Sequence, residues 1–233
     1  MILLTGGSGL LGRELRKHIR FIVPNRTMLD IRLKGFTTSC LKFFKPSLIV
    51  HAAAYTDVVG AETNKQECYD TNVLGTRNLA SLGIPMLYIS TEYVFDGTKG
   101  NYSEEDYPNP QNFYALTKLL GEYEATKVPQ HSVIRCLFKP RPFEHDAALS
   151  DQFTSGDYVD TVAKEIAHAV KKFSSLPKVL HIGTGRKSTY NLAKETKPNI
   201  IPLTIANLEK QLGGRLRFPA DTSLNTALWE KIK

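Results

Sequence analysis

Tyr114-Ala115-Leu116-Thr117-Lys118 places a phenol and an amine four residues apart. On a helix they share one face. A neighbouring ammonium favours the phenolate and lowers a tyrosine pKa, which would make Tyr114 a usable general acid near neutral pH. Such a pair alone is common on solvent-facing helices. A second group strengthens it. Ser90-Thr91-Glu92-Tyr93 closes a predicted strand, on the side where ligands bind in open α/β sheets. Thr91 is a candidate to hydrogen-bond a substrate carbonyl. Glu92 is a candidate for a substrate hydroxyl, with a solvated loop acid as its alternative. Tyr93 is a further candidate substrate contact.

Thr5-Gly6-Gly7-Ser8-Gly9-Leu10-Leu11-Gly12 lies between a predicted strand and a predicted helix, the setting in which a glycine-rich turn cradles a pyrophosphate. Gly6 would permit the turn, Gly9 the approach of phosphate, and Gly12 close packing of helix on sheet. Ser8, Leu10 and Leu11 belong to the same candidate cradle, whose amides would meet the anion. Similar turns also join strand to helix for steric reasons alone. At the end of the next apolar run stand Asn25 and Arg26, with no acid beside them. An acid there would bind a ribose 2′-hydroxyl. An arginine suits a 2′-phosphate, so NADP(H) is expected over NAD(H), with an exposed surface arginine as the alternative. Asp30 is a candidate for the adenine edge or for a turn cap. His51-Ala52-Ala53-Ala54 follows a third strand, and its small side chains would let a cofactor lie against the backbone. His51 reads as a packed, hydrogen-bonded histidine, and Asn72 as an organiser of backbone beneath the site.

The elements that must position these residues alternate. Strands are predicted at Ile2–Leu4, Phe21–Val23, Ser47–Val50, Met86–Ser90, Ser132–Leu137 and Val179–Ile182. Helices are predicted from Leu10 towards Ile19, and at Thr37–Phe44, Cys68–Leu82, Phe113–Thr126 and Val159–Phe173; residues 96–112 read as a long loop. That alternation specifies an α/β fold with a doubly wound parallel sheet. The expected sheet domain is 1–137, with returns at about 157–182; 138–156 and 183–233 would form a small C-terminal lobe. The 233 residues include 42% hydrophobic and 23% charged side chains, a globular balance that argues against wholesale disorder. The net charge of +7 arises within residues 1–50, where nine basic side chains face two acidic ones. That suggests an anionic partner, but dispersed basic residues without aromatic interleaving do not read as nucleic-acid binding. No apolar run approaches the ~20 residues of a membrane span. Met1–Leu4 leads into the glycine turn with no basic leader, so no secretory signal is expected. Three scattered cysteines fit a reducing cytoplasm better than a disulfide framework or a metal site.

Together Thr5–Gly12, His51–Asp57, Thr71–Leu79, Ser90–Gly97 and Tyr102–Glu122 resemble the extended short-chain dehydrogenase/reductases, and within them the dTDP-4-dehydrorhamnose reductase family. The resemblance implies a Rossmann-type fold, with Thr91, Tyr114 and Lys118 as catalytic triad. It implies that Gly6, Gly9, Gly12, Asp30, Ala53 and Lys118 line the cofactor. Lys118 would hold the nicotinamide ribose. The implied activity is NADPH-dependent reduction of a nucleotide-activated 4-keto-6-deoxysugar, with a homodimer as the default assembly. Glu92 stands where the family usually has Asp, and Phe138 where a Trp often lies near the substrate, so the resemblance implies Phe138 as a substrate contact. The stretch from Arg135 to Gln152 is shorter than usual and would normally carry part of the substrate lobe. Two alternatives follow: a non-catalytic NADP-binding subunit similar to the regulatory subunit of methionine adenosyltransferase, and a nucleotide-sugar epimerase of the same fold.

Overall fold

The structure is a computed structural model and describes residues 1–214 and 216–233. In chain order the first half comprises β1 (Ile2–Thr5), α1 (Leu10–Leu15), α2 (Lys34–Phe44), β2 (Leu48–His51), α3 (Lys65–Tyr69), α4 (Gly75–Ala80), β3 (Met86–Thr91), α5 (Phe113–Thr126) and β4 (His131–Cys136). Short strands β5 (Phe138–Lys139), β6 (Ala147–Leu149), β7 (Phe153–Thr154) and β8 (Asp157–Tyr158) precede α6 (Val159–Lys171) and β9 (Val179–His181). Then come β10 (Lys187–Ser188), α7 (Thr189–Lys194), β11 (Ile201–Leu203), α8 (Ile205–Gln211) and α9 (Ala227–Ile232).

Five parallel strands form the main sheet in the order β1-β2-β3-β4-β9. Successive strand residues face opposite sides, and the sequence fills both sides with apolar groups. Leu4, Val50, Leu87 and Ile134 pack with α1, α6 and Trp229 of α9. Leu3, Ile49, Tyr88 and Val133 pack with α2, α4 and the end of α5. Two covered faces are what near-continuous apolar strands require. A separate small core joins Phe143, Ala148, Tyr158, Leu192, Ala193 and Ile200. Trp229, by contrast, sits wholly buried in the main core, although the sequence reading groups 183–233 with the lobe. Among the described residues no helix is long and apolar enough to cross a membrane.

Three local expectations need correction. Phe21–Val23 is not a full strand: only Ile22 pairs with Leu3, through Leu4 N to Ile22 O and Ile22 N to Ile2 O, each 2.9 Å. Pro24 follows directly and has no N–H to extend the ladder. Ile22 flanks β1 on the side away from β2, so the strand order reverses at β1, where a doubly wound sheet opens its ligand crevice. The helix opening at Leu10 is regular only to Leu15; the bond from Ile19 N to Leu15 O, 3.0 Å, belongs to the turn beyond it. The predicted helix Cys68–Leu82 instead starts at Lys65 and ends at Ala80, with a π-helical stretch at Asp70–Leu74. Such a stretch marks a place where a side chain must be re-aimed, and here it carries Asn72.

Candidate active site

The glycine turn comes first. Gly6 has φ +70°, and a Cβ there would lie 2.6 Å from Ala53 N and 2.7 Å from the Ala52 carbonyl carbon. A Cβ on Gly12 would lie 2.6 Å from Gly7 Cα and overlap Gly6 O. Only side-chain-free residues let β1, the 52–54 backbone and α1 meet so closely. Gly9 begins α1 in extended conformation with no side-chain cap, which leaves the first-turn amides to solvent or an anion. Ser8 and Leu10 are exposed, whereas the Leu11 side chain is packed in the main core; only its backbone is available to a ligand. Ala52, Ala53 and Ala54 are half-buried along the same crevice, with Ala53 N donating to Thr5 Oγ1 at 3.2 Å.

Beyond β1, Asn25 accepts from Thr27 Oγ1 at 2.7 Å and Met28 N at 2.9 Å. Arg26 is exposed, its Nε 3.8 Å from Asp30 Oδ2. Asp30 binds Arg32, with Oδ1 2.9 Å from Nε and Oδ2 2.6 Å from Nη2, and accepts from Arg32 N at 3.1 Å. The Arg32 hydrogen bond holds its carboxyl below the usual range. Asp30 thus caps its own turn by accepting from Arg32 N.

Helix α5 starts where Asn112 Oδ1 accepts from Ala115 N at 2.9 Å, an N-cap. It runs Phe113–Thr126, as the apolar spacing predicts. Asn72 bonds the Tyr55 backbone in both directions, at 2.8 and 3.1 Å, and Thr117 Oγ1 of α5 at 2.9 Å. His51 is neutral and packed, between Thr5 Oγ1 at 2.8 Å and Thr76 Oγ1 at 3.0 Å, with burial pushing its pKa down to about 3. Tyr114 is half-buried and lies beside Thr91. The Lys118 ammonium is buried, donates to Ile89 O at 2.7 Å and lies 4.2 Å above the Tyr88 ring. Thr91, Tyr114 and Lys118 thus come together at the carboxyl end of β3.

The electrostatics differ from the sequence expectation. Burial pushes the Tyr114 phenol up, and Lys118 does not counter it, because the ammonium is turned to Ile89 O and Tyr88. Burial lowers Lys118 to about 8. The raised pKa keeps the phenol protonated and able to donate, while moving it away from the operating pH at which a general acid works best.

Glu92 is no solvated loop acid. It is fully buried and bonds Thr222 Oγ1 at 2.7 Å, while Oε2 has no partner. Burial raises its pKa to about 7, opposed by the hydrogen bond from Thr222. Its unfolded value is near 4.5, so the fold binds the extra proton. Stability should fall as pH rises from about 4.5 to about 7, by up to ~1.4 kcal/mol per unit. Glu92→Gln should flatten that slope in urea titrations at several pH values. Tyr93 is buried with its hydroxyl 3.4 Å from Gln152 Oε1, and Phe138 packs against the main core. Tyr88, Ile89, Glu122, Arg135 and Cys136 surround the pair unforeseen; of these only Glu122, four residues beyond Lys118, carried a spacing signal.

A parallel sheet with a glycine turn at its switch point and a Tyr/Lys helix beside it defines a Rossmann-type dinucleotide-binding fold. The chain belongs to the family described as RmlD substrate binding domain, whose model matches residues 1–138. It is 33% identical over 181 residues to a dTDP-4-dehydrorhamnose reductase of Aggregatibacter actinomycetemcomitans, covering 73% of this chain and 57% of that protein. It is 35% identical over 137 residues to methionine adenosyltransferase 2 subunit beta of Bos taurus, covering 52% of this chain and 41% of that one. The chain therefore spans about half the length of these curated relatives. A crystal structure of a hypothetical dTDP-4-dehydrorhamnose reductase from Sulfolobus tokodaii superposes with TM-score 0.86 at 27% identity, covering 100% of this chain and 94% of that one. A Bacillus anthracis dTDP-4-dehydrorhamnose reductase in complex with NADP shares the fold, with TM-score 0.85 at 24% identity over 99% of this chain and 92% of that chain.

Proposed function

We propose that this chain is an NADPH-dependent reductase of a nucleotide-activated 4-keto-6-deoxysugar, of the dTDP-4-dehydrorhamnose type. The residues fit a dinucleotide: a Cβ on Gly6 or Gly12 would fill the turn, α1 lacks a side-chain cap, and Lys118 Nζ has one hydrogen-bond acceptor among the described residues. NADPH, when bound, supplies the hydride for the sugar C4 carbonyl. Tyr114 donates a proton to the developing alkoxide. Thr91 orients that oxygen, and Lys118 holds the nicotinamide ribose. Gly6, Ser8, Gly9, Leu10, Leu11 and Gly12 contribute backbone to the pyrophosphate, with Ala52, Ala53 and Ala54 alongside. Arg26, exposed with its Nε 3.8 Å from Asp30 Oδ2, takes the 2′-phosphate, which favours NADP(H) over NAD(H). Asn25 borders that subsite. Tyr93 and Phe138 remain substrate contacts in this reading; Asp30 and Glu92 act through their neighbours. Three buried free thiols fit a reducing cytoplasm.

The observation that carries the reading is the convergence of Thr91, Tyr114 and a buried lysine one turn along α5 at the carboxyl end of β3. The purified protein should oxidise NADPH stoichiometrically with dTDP-4-dehydrorhamnose, followed by loss of NADPH absorbance. The similarity to a methionine adenosyltransferase subunit supports a second reading, a non-catalytic NADP(H)-binding subunit. That reading predicts NADPH binding with no turnover.

A further inference from the structure

Tyr114, Lys118 and Glu122 are spaced by four on α5, so one helix face carries all three. Glu122 is buried and is held from two strands. Arg135 of β4 grips both carboxylate oxygens, Nε to Oε1 at 3.0 Å and Nη2 to Oε2 at 2.8 Å. Ser90 Oγ of β3 donates to Oε1 at 2.5 Å. Arg135 is only 4% exposed and also lies 5.1 Å from the Phe95 ring centre. Burying an ion pair is costly, and apolar residues of the same volume often hold two elements together as well. Packing α5 on the sheet therefore does not account for this pair.

The surroundings of Lys118 do. His51 approaches from β2, Cys68 from α3, Tyr88 from β3 and Cys136 from β4, while α5 itself brings Tyr114 and Glu122. Burial keeps His51 neutral, pushes Cys136 up to about 12, and raises the Cys68 thiol and the Tyr88 and Tyr114 phenols. Among the described residues acting on Lys118, Glu122 is the carboxylate. An ammonium without a nearby anion would shed its proton in such a site.

We propose that Glu122, clamped by Arg135 and Ser90, is a positioning residue that keeps the buried Lys118 amine an ammonium and fixes the Tyr114–Lys118 face of α5 at the site. Its effect on turnover rests on the reductase reading; its effect on Lys118 does not. The test is a pH titration of isotope-labelled lysine side chains by NMR, with Lys118 assigned through Lys118→Met. In the unmodified protein Lys118 should titrate at about 8. Glu122→Gln should lower that midpoint by about 1–3 units. That variant strands the Arg135 guanidinium, so Glu122→Gln/Arg135→Gln, which removes both charges, provides a second route and should lower the midpoint as well. Arg135→Gln alone should not lower it. NADPH affinity in Glu122→Gln should weaken above the lowered midpoint, where the parent protein still binds. An unchanged Lys118 midpoint in either folded Glu122→Gln variant overturns the proposal. The NMR readout needs no substrate, so a protein without reductase turnover would reject the functional reading and leave this one intact.

Discussion

On the proposed reductase activity, substituting Tyr114 by Phe should lower kcat for the keto-sugar by about 10²–10⁴-fold and leave NADPH affinity unchanged. The phenol is half-buried beside Thr91 and pushed towards its protonated form by burial. Phe keeps the ring and its packing and removes only the transferable proton. The loss should therefore appear in kcat, as for an interaction made in the transition state alone. Fluorescence titration with NADPH and steady-state kinetics separate the two. Wild-type turnover in the Phe variant would reject Tyr114 as the acid.

Trp229→Ala should destabilise the protein by about 3–5 kcal/mol, read as a lower urea midpoint. Trp229 is fully buried in the main core, its Nε1 donates to Glu165 Oε2 at 2.6 Å, and His168 meets it edge-on. Truncation leaves a cavity between α9 and α6 and removes the hydrogen bond to Glu165. A loss below ~1 kcal/mol would mean that α9 contributes little to the core.

Much of this was legible because the signals are local. Glycines at 6, 9 and 12 after an apolar run reflect steric demands that a strand-to-helix turn makes on its own residues. The bounds of α5 follow from apolar spacing after Asn112. His51 and Asn72 could be read as structural because their neighbours in sequence are small or helical. What escaped was set at a distance. Glu92 is buried by Thr154, Ser155 and Thr222, which no pattern around residue 92 discloses. The field at Tyr114 depends on Lys118 turning to the Ile89 carbonyl, a choice spacing alone does not reveal. Phe21–Val23 has strand composition but lies beside Pro24 at a sheet edge. Trp229 returns to the main core across a lobe that local composition groups it with.

The segment 219–225 bonds to three separate parts of the chain. Ala220 O accepts from Phe153 N at 2.7 Å, Asp221 N donates to Gly97 O at 3.0 Å, and Ser223 O accepts from Tyr102 N at 2.9 Å. Thr222 reaches Glu92 across 130 residues of sequence, whereas the glycine turn closes within three. Loops of such unequal span close at unequal entropic cost. The glycine turn can thus close from its own neighbourhood, while the mouth above the sheet assembles only when distant segments of the chain have met. Substitutions along 219–225 would therefore be felt at the mouth, at Glu92, Gly97 and Phe153, far from their own place in the sequence.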